Sequence, residues 1–168
     1  RIVYNPIFVN VGGSSSSDNT VISNNQIKNV QMSADGYQEL FVGIETVAGY
    51  CNINNNTIGD PTTTNNIYNQ GTYDQSFTYN QSYIYGIWNT SSSDVTINNN
   101  TVGGLTTSTA YSFVCGIRVG QAENTPSVAT TPVSAKNTIT NNTVKNLYTS
   151  SASQTYALPG AGTGIMIY

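Results

Sequence analysis

Residues 85–105 read YGIWNTSSSDVTINNNTVGGL and contain the unit that the rest of the chain repeats. The unit begins with a short apolar segment at 86–88 and continues through a polar turn into Val-Thr-Ile-Asn at 95–98. Asn99 and Asn100 then form a bend, and a third short segment starts at Thr101. Apolar and polar residues alternate with period 2, which is typical of half-buried β-strands. The stretch therefore predicts three short strands in each repeat.

Two markers recur along the chain in a fixed alternating order. The first is an aliphatic-x-Asn-Asn-x-aliphatic bend, with copies at residues 22–27, 53–58, 97–102 and 139–144. The second is a Gly-Ile pair, with copies at 43–44, 86–87, 116–117 and 164–165 and a Pro-Ile pair at 6–7 that lacks the glycine. Two markers in one order predict stacked copies of a single supersecondary unit. The segments between the markers, residues 28–40, 59–83 and 145–161, are expected to be polar loops.

The composition excludes several classes of protein. Charged residues are 8% of the chain, against a usual share of about 25%. Asn, Thr and Ser together make 64 of the 168 residues, so the polar surface is mainly amide and hydroxyl. A net charge of -3 with five cations provides no basic stripe, and nucleic acid is not an expected partner. No apolar segment approaches the roughly 18 residues of a membrane span. This composition favours an extracellular or cell-surface location.

The chain contains no histidine. Ser-His-Asp and Cys-His catalysis are therefore impossible within it, and the commonest general base and metal ligand is missing. The two cysteines alone do not make a zinc site. The sequence accordingly predicts neither a metal nor a cofactor.

The repeat resembles the parallel β-helix repeat of pectate-lyase-like proteins, and the resemblance covers most of the chain. It implies an all-β fold, a right-handed parallel β-helix with three sheets. We expect about five coils in a single domain, residues 1–168, that is a segment of a longer solenoid or filament. The resemblance also implies three stacks of aliphatic side chains: Ile7, Ile44, Ile87, Ile117 and Ile165; Ile22, Ile53, Ile97 and Ile139; and Ile27, Ile58, Val102 and Val144.

The two asparagines of each bend have different expected roles. The second one suits a tight left-handed corner, because Asn tolerates positive φ better than other non-glycine residues. Stacked copies could hydrogen-bond as an amide ladder formed by Asn25, Asn56, Asn100 and Asn142. The alternative inward members are the preceding Asn24, Asn55, Asn99 and Asn141. A functional alternative is that these amides bind a ligand or carry glycans, since the pattern N-x-Ser/Thr occurs at Asn55, Asn99 and Asn141 and also at Asn80 and Asn89.

Cys51 and Cys115 each precede a core isoleucine by two residues, so both are expected to point inward. The repeat places them two rungs apart on different sheets. Because neighbouring strands are about 4.8 Å apart, the gap is at least about 9.6 Å. A disulfide needs Cα atoms within about 7 Å. The sequence therefore predicts two free, buried thiols.

The outward positions of the Gly-Ile strands are the first candidate site, and they are Glu45, Trp88, Arg118 and Met166. Enzymes of the resembled family act on polysaccharides, usually with carboxylates or basic residues on one exposed sheet. A glycosidase needs two carboxylates roughly 5 to 9.5 Å apart, and Glu45 has no partner acid on the neighbouring strands. The alternative interpretation is a mixed solvent-exposed face with an attraction between Glu45 and Arg118.

A tyrosine-rich segment provides the second candidate surface, with Tyr73, Tyr79 and Tyr83 as possible ligand-binding residues. Tyrosine rings can stack on sugars or contact other proteins. The alternative is that these rings lie against the wall of the solenoid and cover it.

The sequence as a whole favours a non-catalytic extracellular module with a structural or adhesive role, such as part of an adhesin, stalk or filament. One alternative, implied by the resemblance alone, is a fragment of a polysaccharide lyase or glycoside hydrolase, including a phage tailspike. Another is a carbohydrate-binding module that uses Trp88 and the tyrosines. The expected partners are copies of the chain or flanking coils, because residues 2–11 and 162–168 are apolar and show no capping helix. Glycans are further possible partners.

Overall fold

The computed structural model describes residues 2–33, 39–70, 81–108, 111–120, 135–149 and 162–167. Within these ranges the protein is all-β, and no helix is present. The first strands are β1 (Ile2–Tyr4), β2 (Ile7–Val9), β3 (Thr20–Ser23), β4 (Gln26–Ile27) and β5 (Val30–Met32). They are followed by β6 (Glu39–Thr46), β7 (Cys51–Asn54), β8 (Thr57–Gly59) and β9 (Ile67–Asn69). The remaining strands are β10 (Gln81–Asn89), β11 (Val95–Asn98), β12 (Thr101–Thr107), β13 (Tyr111–Val119), β14 (Thr138–Thr140), β15 (Thr143–Thr149) and β16 (Thr163–Ile167).

The strands form three parallel sheets. The first sheet has the order β1-β6-β10-β13-β16, with β2 also paired to β6. The second has the order β14-β11-β7-β3, and the third has the order β4-β8-β12-β9-β5, with β15 also paired to β12. Neighbouring strands in each sheet come from successive groups along the chain, and we call each group a rung: β1–β5, β6–β9, β10–β12 and β13–β15. This connectivity is compatible with a β-solenoid.

The strand register confirms the three predicted aliphatic stacks. In the first sheet, Ile87 pairs with Ile44 on one side and Ile117 on the other. The stack continues to Ile7 and Ile165 at its two ends. The other two sheets pair their predicted aliphatic residues in the same way. The three isoleucines in the middle of the first stack are 0% exposed, and full burial of one such side chain stabilises a fold by about 1.5 to 3 kcal/mol.

Glycine interrupts the alternation of side chains in the first sheet. In β10, Ile84 and Ile87 both belong to the interior core, although they are three residues apart. Tyr85 and Trp88 belong instead to a second cluster on the outer face of the sheet. Gly86 lies between the two sets, so the strand turns two successive residues, Gly86 and Ile87, toward the interior.

The space at this position admits only glycine. A Cβ on Gly86 would lie 2.3 Å from Cγ1 of Val102 and 2.5 Å from the carbonyl oxygen of Gly116. The same break occurs in β13, where Cys115 belongs to the outer cluster and Ile117 to the interior. The expectation that Cys115 points inward is therefore wrong, because the period of 2 does not continue through the glycine.

The third sheet contains strands where loops were expected. Strand β9 pairs with β5 and with the second half of β12. The inward side chains of these segments are Val30, Ile67, Leu105 and Leu147. A second left-handed corner lies just before them, at Asn29 (φ 56°), Asn65 (φ 58°), Gly104 (φ 65°) and Asn146 (φ 59°). The prediction of loops at 28–40, 59–83 and 145–161 is wrong for these strands.

The left-handed corner of the predicted bend lies at the first asparagine. Positive φ angles occur at Asn24 (59°), Asn55 (57°), Asn99 (55°) and Asn141 (55°). The prediction that the second asparagine forms the corner is therefore wrong. The left-handed residue directs the next side chain inward, so the second asparagine is the one that reaches the neighbouring rung.

The second asparagines hydrogen-bond from rung to rung. The backbone N–H and the side-chain Nδ2 of Asn56 each donate to Oδ1 of Asn100, both at 2.9 Å. The same two bonds join Asn25 to Asn56 and Asn100 to Asn142. In the opposite direction, Nδ2 of Asn100 donates to the carbonyl oxygen of Ile53 at 2.9 Å. The ladder therefore has a polarity, because each amide oxygen accepts from the preceding rung.

Candidate functional site

The register of the first sheet brings the outward-facing candidates together. Phe8, Glu45, Trp88, Arg118 and Met166 occupy corresponding positions on successive strands. We call these five residues the outward row. A carboxylate, an indole and a guanidinium are thus neighbours on one face of the sheet.

Two members of the outward row are buried. Trp88 is 3% exposed and Arg118 is 8% exposed. The guanidinium carbon of Arg118 lies 4.9 Å from the centroid of the Trp88 ring and 5.1 Å from that of Tyr85. Nη1 of Arg118 donates a hydrogen bond to Oη of Tyr85 at 2.6 Å, and Nε1 of Trp88 donates to the carbonyl oxygen of Gly120 at 3.2 Å. The interpretation of this row as a mixed solvent-exposed face is therefore wrong for Trp88 and Arg118.

These side chains belong to a hydrophobic cluster on the outer face of the first sheet. Its buried members are Leu40, Val42, Tyr83, Tyr85, Trp88, Phe113 and Cys115, and Met166 packs against them. We call this set the outer cluster. The ring centroid of Tyr85 lies 5.0 Å from that of Trp88, 5.8 Å from that of Phe113 and 6.2 Å from that of Tyr83. Each such aromatic pair contributes about 0.5 to 1.5 kcal/mol beyond its burial.

Tyr85 is the centre of the outer cluster, and it was not among the candidate site residues. A strict alternation counted from Ile87 places Tyr85 inward, two residues before it. The signal for its outward orientation is the glycine that follows it, since Gly86 resets the alternation. The same signal applies to Cys115, which pairs with Tyr85 in the register.

Burial suppresses ionisation in this cluster. Burial raises the pKa of Tyr85, although the positive charge of Arg118 opposes this effect. Burial likewise raises the pKa of the Cys115 thiol to about 12, again against the charge of Arg118. In the interior, burial also raises the pKa of Cys51. Both cysteines are free and buried, which confirms the predicted thiols. A thiol that stays protonated at neutral pH is a weak nucleophile.

Glu45 is a partly exposed member of the outward row, and it accepts a hydrogen bond from Nδ2 of Asn5. The other carboxylate of β6 is Glu39, and six residues of extended strand separate the two by roughly 20 Å. A glycosidase pair needs a separation of at most about 9.5 Å. In the register Trp88 lies between Glu45 and Arg118. Among the residues that the structure describes, no group of three His, Cys, Asp or Glu side chains could hold a metal ion.

The tyrosine candidates are only partly within the described ranges. Tyr83 is 8% exposed and stacks on Tyr85 as part of the outer cluster. Tyr73 and Tyr79 lie outside the described residues. At Tyr83, the ring therefore covers the sheet wall, which is the second of the two roles that the sequence left open.

The possible glycosylation sites fall into two groups. Asn55, Asn99 and Asn141 are exposed at the left-handed corners. Asn89, by contrast, is 1% exposed. Its Oδ1 accepts a hydrogen bond from Oγ1 of Thr46 at 2.7 Å, and its Nδ2 donates one to Oδ1 of Asn137 at 2.8 Å. The side chain of Asn89 is thus engaged inside the fold, and Asn80 lies outside the described residues.

Apolar side chains are exposed on the edge strands of the first sheet. On β1 and β2 the exposed fractions are 48% for Ile2, 50% for Val3, 47% for Tyr4 and 52% for Phe8. On β16 they are 46% for Ile165 and 69% for Ile167. A cavity of about 380 Å³ lies beside β16, and Val119, Asn137, Ile139 and Ile167 are among its lining residues.

No protein-family model, curated protein or solved structure matches this chain. The described ranges also contain no helix that is long and apolar enough to cross a membrane. The function is therefore inferred from the geometry of the described residues.

Proposed function

We propose that the chain is a non-catalytic β-solenoid module with a structural or adhesive role outside the cell, as part of an adhesin, stalk or filament. One observation carries this proposal. Trp88 and Arg118, at the centre of the outward row, are buried and pack on one another, whereas the resembled enzymes act through carboxylates or basic residues on an exposed sheet. The guanidinium of Arg118 packs against both the Tyr85 and Trp88 rings and donates a hydrogen bond to the phenol, so its charge is engaged within the fold and is not presented to a substrate.

The finer architecture that we propose is a right-handed parallel β-helix of about five coils, of the pectate-lyase-like type. Three parallel sheets with matching aliphatic stacks support it. The handedness follows from a general rule, because about 98% of parallel crossover connections are right-handed. The low share of charged residues and the amide-rich surface support the extracellular location.

The alternatives have less support from the described residues. A lyase or hydrolase of the resembled family acts through acidic or basic groups that reach the substrate, and Glu45 is roughly 20 Å along its strand from the other β6 carboxylate. A carbohydrate-binding module stacks sugars on exposed aromatic faces, whereas Tyr83, Tyr85 and Trp88 are at most 8% exposed.

The edge strands support the proposed partners, which are further rungs or copies of the chain. An exposed strand edge is a template for pairing with another strand. Here the edges also expose apolar side chains on β1, β2 and β16. Pairing would satisfy backbone groups and bury these side chains together.

Melting and binding measurements on three variants test the proposal. Trp88→Ala should lower the free energy of unfolding by about 3 to 5 kcal/mol, since it leaves a large cavity in the outer cluster. Arg118→Gln should lower it by about 2 kcal/mol through the lost cation–π contacts and hydrogen bond. Glu45→Gln is the matched control on the same row, and its effect should be within about 0.5 kcal/mol.

The same proteins should be screened for turnover and binding of neutral and acidic polysaccharides. We expect neither to depend on Glu45 or Arg118. Turnover or glycan binding that is lost in Glu45→Gln while the melting temperature is unchanged would overturn the proposal in favour of an enzyme or a carbohydrate-binding module.

A further inference from the structure

The left-handed corners between the second and third sheets form one exposed row. In the second, third and fourth rungs the corner residues are Asn55, Asn99 and Asn141, and all three are exposed. The N–H of Asn55 donates to the carbonyl oxygen of Asn98 at 3.2 Å, and the N–H of Asn99 donates to that of Thr140 at 3.1 Å. Neighbouring corners are therefore about 4.8 Å apart, which is the spacing of strands in a sheet. We call these three asparagines the corner row.

Each member of the corner row begins the tripeptide Asn-x-Thr, the acceptor pattern for an N-linked glycan. The threonines are Thr57, Thr101 and Thr143, and they pair with one another in the third sheet. Each directly precedes an aliphatic residue of the interior, so each points outward. Gln26 occupies the same register position in the first rung. The fold therefore does not require a threonine at this position, and the bend motif alone does not account for the tripeptide.

The amide nitrogens of the corner row differ in the room around them. Nδ2 of Asn55 is 3.4 Å from Oδ1 of Asn54, which is longer than an ordinary hydrogen bond. Nδ2 of Asn141 is 3.2 Å from Oδ1 of Asn98. Nδ2 of Asn99, by contrast, lies only 2.6 Å from Oδ1 of Asn55 and is held against the neighbouring corner. A bulky group on the nitrogen is therefore accommodated more easily at Asn55 and Asn141 than at Asn99.

We propose that the corner row is a site of N-glycosylation, with oligosaccharides on Asn55 and Asn141 and none on Asn99. The inference rests on the proposed function, because a location outside the cell takes the chain through a secretory pathway. Glycans on Asn55 and Asn141 are about 9.6 Å apart, whereas a third one on Asn99 would lie about 4.8 Å from both. Crowding thus acts in the same direction as the short hydrogen bond of Asn99.

The attachment is a transfer from a lipid-diphosphate-linked oligosaccharide. Nδ2 of the asparagine forms a bond to the anomeric carbon of the first sugar, and the bond from that carbon to the phosphate oxygen breaks. The lipid diphosphate leaves with the electron pair, and the amide proton passes to a base of the transferase. One hydrogen remains on the amide nitrogen.

Glycans on the corner row would solvate a surface that is poor in ions. Charged residues are 8% of the chain, and charge is what usually keeps a protein soluble and dispersed. N-linked glycans are bulky, solubilising surface groups. The corner row lies where two amide-rich sheets meet, so its glycans would reach both faces and leave the outer cluster of the first sheet uncovered.

Asn89 carries the same acceptor pattern in the opposite environment, and it serves as an internal control. Its side chain is 1% exposed, and Oδ1 accepts from Oγ1 of Thr46 and from the N–H of Ser91. Its Nδ2 donates to Oδ1 of Asn137 at 2.8 Å. A sugar on this nitrogen would occupy the space of the Asn137 amide and have no path to water. A chain modified at Asn89 should therefore fail to fold.

The full chain, secreted from cells that attach N-linked glycans, tests the proposal. Folded protein is collected as the soluble, protease-resistant fraction. Peptide mapping by mass spectrometry, before and after enzymatic removal of glycans, measures the occupancy of each asparagine separately. In the folded fraction, Asn55 and Asn141 should be occupied, while Asn99 and Asn89 should not.

Three matched variants assign the glycans. Thr57→Val and Thr143→Val each remove the outward hydroxyl that the transferase requires and keep the β-branched shape that suits a strand. Each should lose one glycan, measured as a decrease in the mass of the folded protein. Thr101→Val is the control, because it makes the same change beside Asn99, and its glycan mass should equal that of the wild type.

Three results would overturn the inference. These are empty Asn55 and Asn141 in the folded fraction, a glycan on Asn99 as often as on its neighbours, and a glycan on Asn89 in folded protein. The melting behaviour of Trp88→Ala is measured on protein without glycans. It tests the proposed function separately, so the two proposals can fail independently.

Discussion

The same Gly-Ile pair occurs in the middle of the first sheet and at its edge, but the surroundings differ. In β10, Ile87 is 0% exposed, and in β16, Ile165 is 46% exposed. A Cβ on Gly86 would lie 2.3 Å from Val102, whereas one on Gly164 would meet nothing within 4 Å. The motif sets the path of the backbone in both places. Its contribution to stability depends on whether a rung lies on each side.

The amide ladder shows the same difference. Asn100 accepts from the preceding rung and donates to the following one, and it is 1% exposed. Asn25 donates to Asn56 but accepts from no preceding ladder residue in the described chain. A central ladder residue therefore serves two interfaces, while an edge residue serves one.

The largest expected effect is that of filling the central glycine. Gly86→Ala should lower the free energy of unfolding by about 3 kcal/mol or more, because the new methyl group would clash with the Gly116 carbonyl oxygen, a backbone atom that cannot move aside easily. Gly164→Ala is the matched control at the edge, and its effect should be within about 0.5 kcal/mol. Denaturant titrations of both variants give the comparison. Similar losses at the two positions would show that the edge is as tightly packed as the centre.

The second expected effect is that of interrupting the ladder. Asn100→Ala removes the acceptor of the Asn56 N–H and the donor to the Ile53 carbonyl, and it should cost about 2 to 3 kcal/mol. Asn25→Ala should cost about 1 kcal/mol, because only one rung interface is lost. Thermal melts with a calorimetric readout measure both. A larger loss at Asn25 than at Asn100 would contradict the idea that the centre serves two interfaces.

The aliphatic stacks could be predicted from the sequence because their period is local and repeated. Each bend fixes where the next isoleucine lies, so the pairing of Ile53 with Ile97 follows from counting. The sequence-based predictions are wrong where a single glycine interrupts the alternation of inward and outward side chains. Gly116 resets the alternation, and this places Cys115 and Arg118 together on the outer face. The burial of Arg118 depends on rings from other parts of the chain, which no local pattern contains.

Strands β5 and β9, and the second halves of β12 and β15, could not be predicted from the sequence, for a related reason. Its signal is short, consisting of an asparagine or glycine just before one aliphatic residue, as at Asn29-Val30 and Asn146-Leu147. In a chain with 23 asparagines this pattern is hard to separate from a polar loop. Only the register of β9 against β12 shows that these segments repeat in step with the longer motif.

A third comparison concerns the pH dependence of stability, and it contrasts a residue inside the outer cluster with its neighbour on the edge strand. Cys115 is buried, while its neighbour in the edge strand, Thr163, is partly exposed. Burial raises the pKa of Cys115 from an ordinary 9.0 to about 12, so the fold favours the neutral thiol. This contribution is fully present below pH 9 and is lost as the pH rises from about 9 toward 12, by up to about 1.4 kcal/mol per pH unit.

Denaturant titrations of the wild type and Cys115→Ala at several alkaline pH values test this expectation. The stability of the wild type should decline above pH 9, and that of Cys115→Ala should decline less steeply. The raised pKa of Tyr85 acts in the same direction, so Tyr85→Phe should also reduce the decline. Equal slopes for wild type and Cys115→Ala would mean that the thiol is not shielded from water in the outer cluster.

The smallest expected effect tests whether some features are independent of position in the stack. The left-handed φ is 55° at Asn99 in the third rung and 59° at Asn24 in the first. This conformation is a property of the residue itself, and the bond from Nδ2 of Asn99 to Oδ1 of Asn55 is exposed to water, so substitutions should have similar effects at both places. Replacement by glycine should change stability by less than about 0.5 kcal/mol. Glycine adopts positive φ without strain, but it loses more conformational entropy on folding, and the two effects offset each other. Replacement by alanine should cost about 1 kcal/mol at each position, since a Cβ is disfavoured there.

Calorimetry on the four variants compares the two rungs directly. A loss confined to Asn99 would mean that the first asparagine also depends on its neighbouring rungs, and the contrast between centre and edge would then extend to the whole bend.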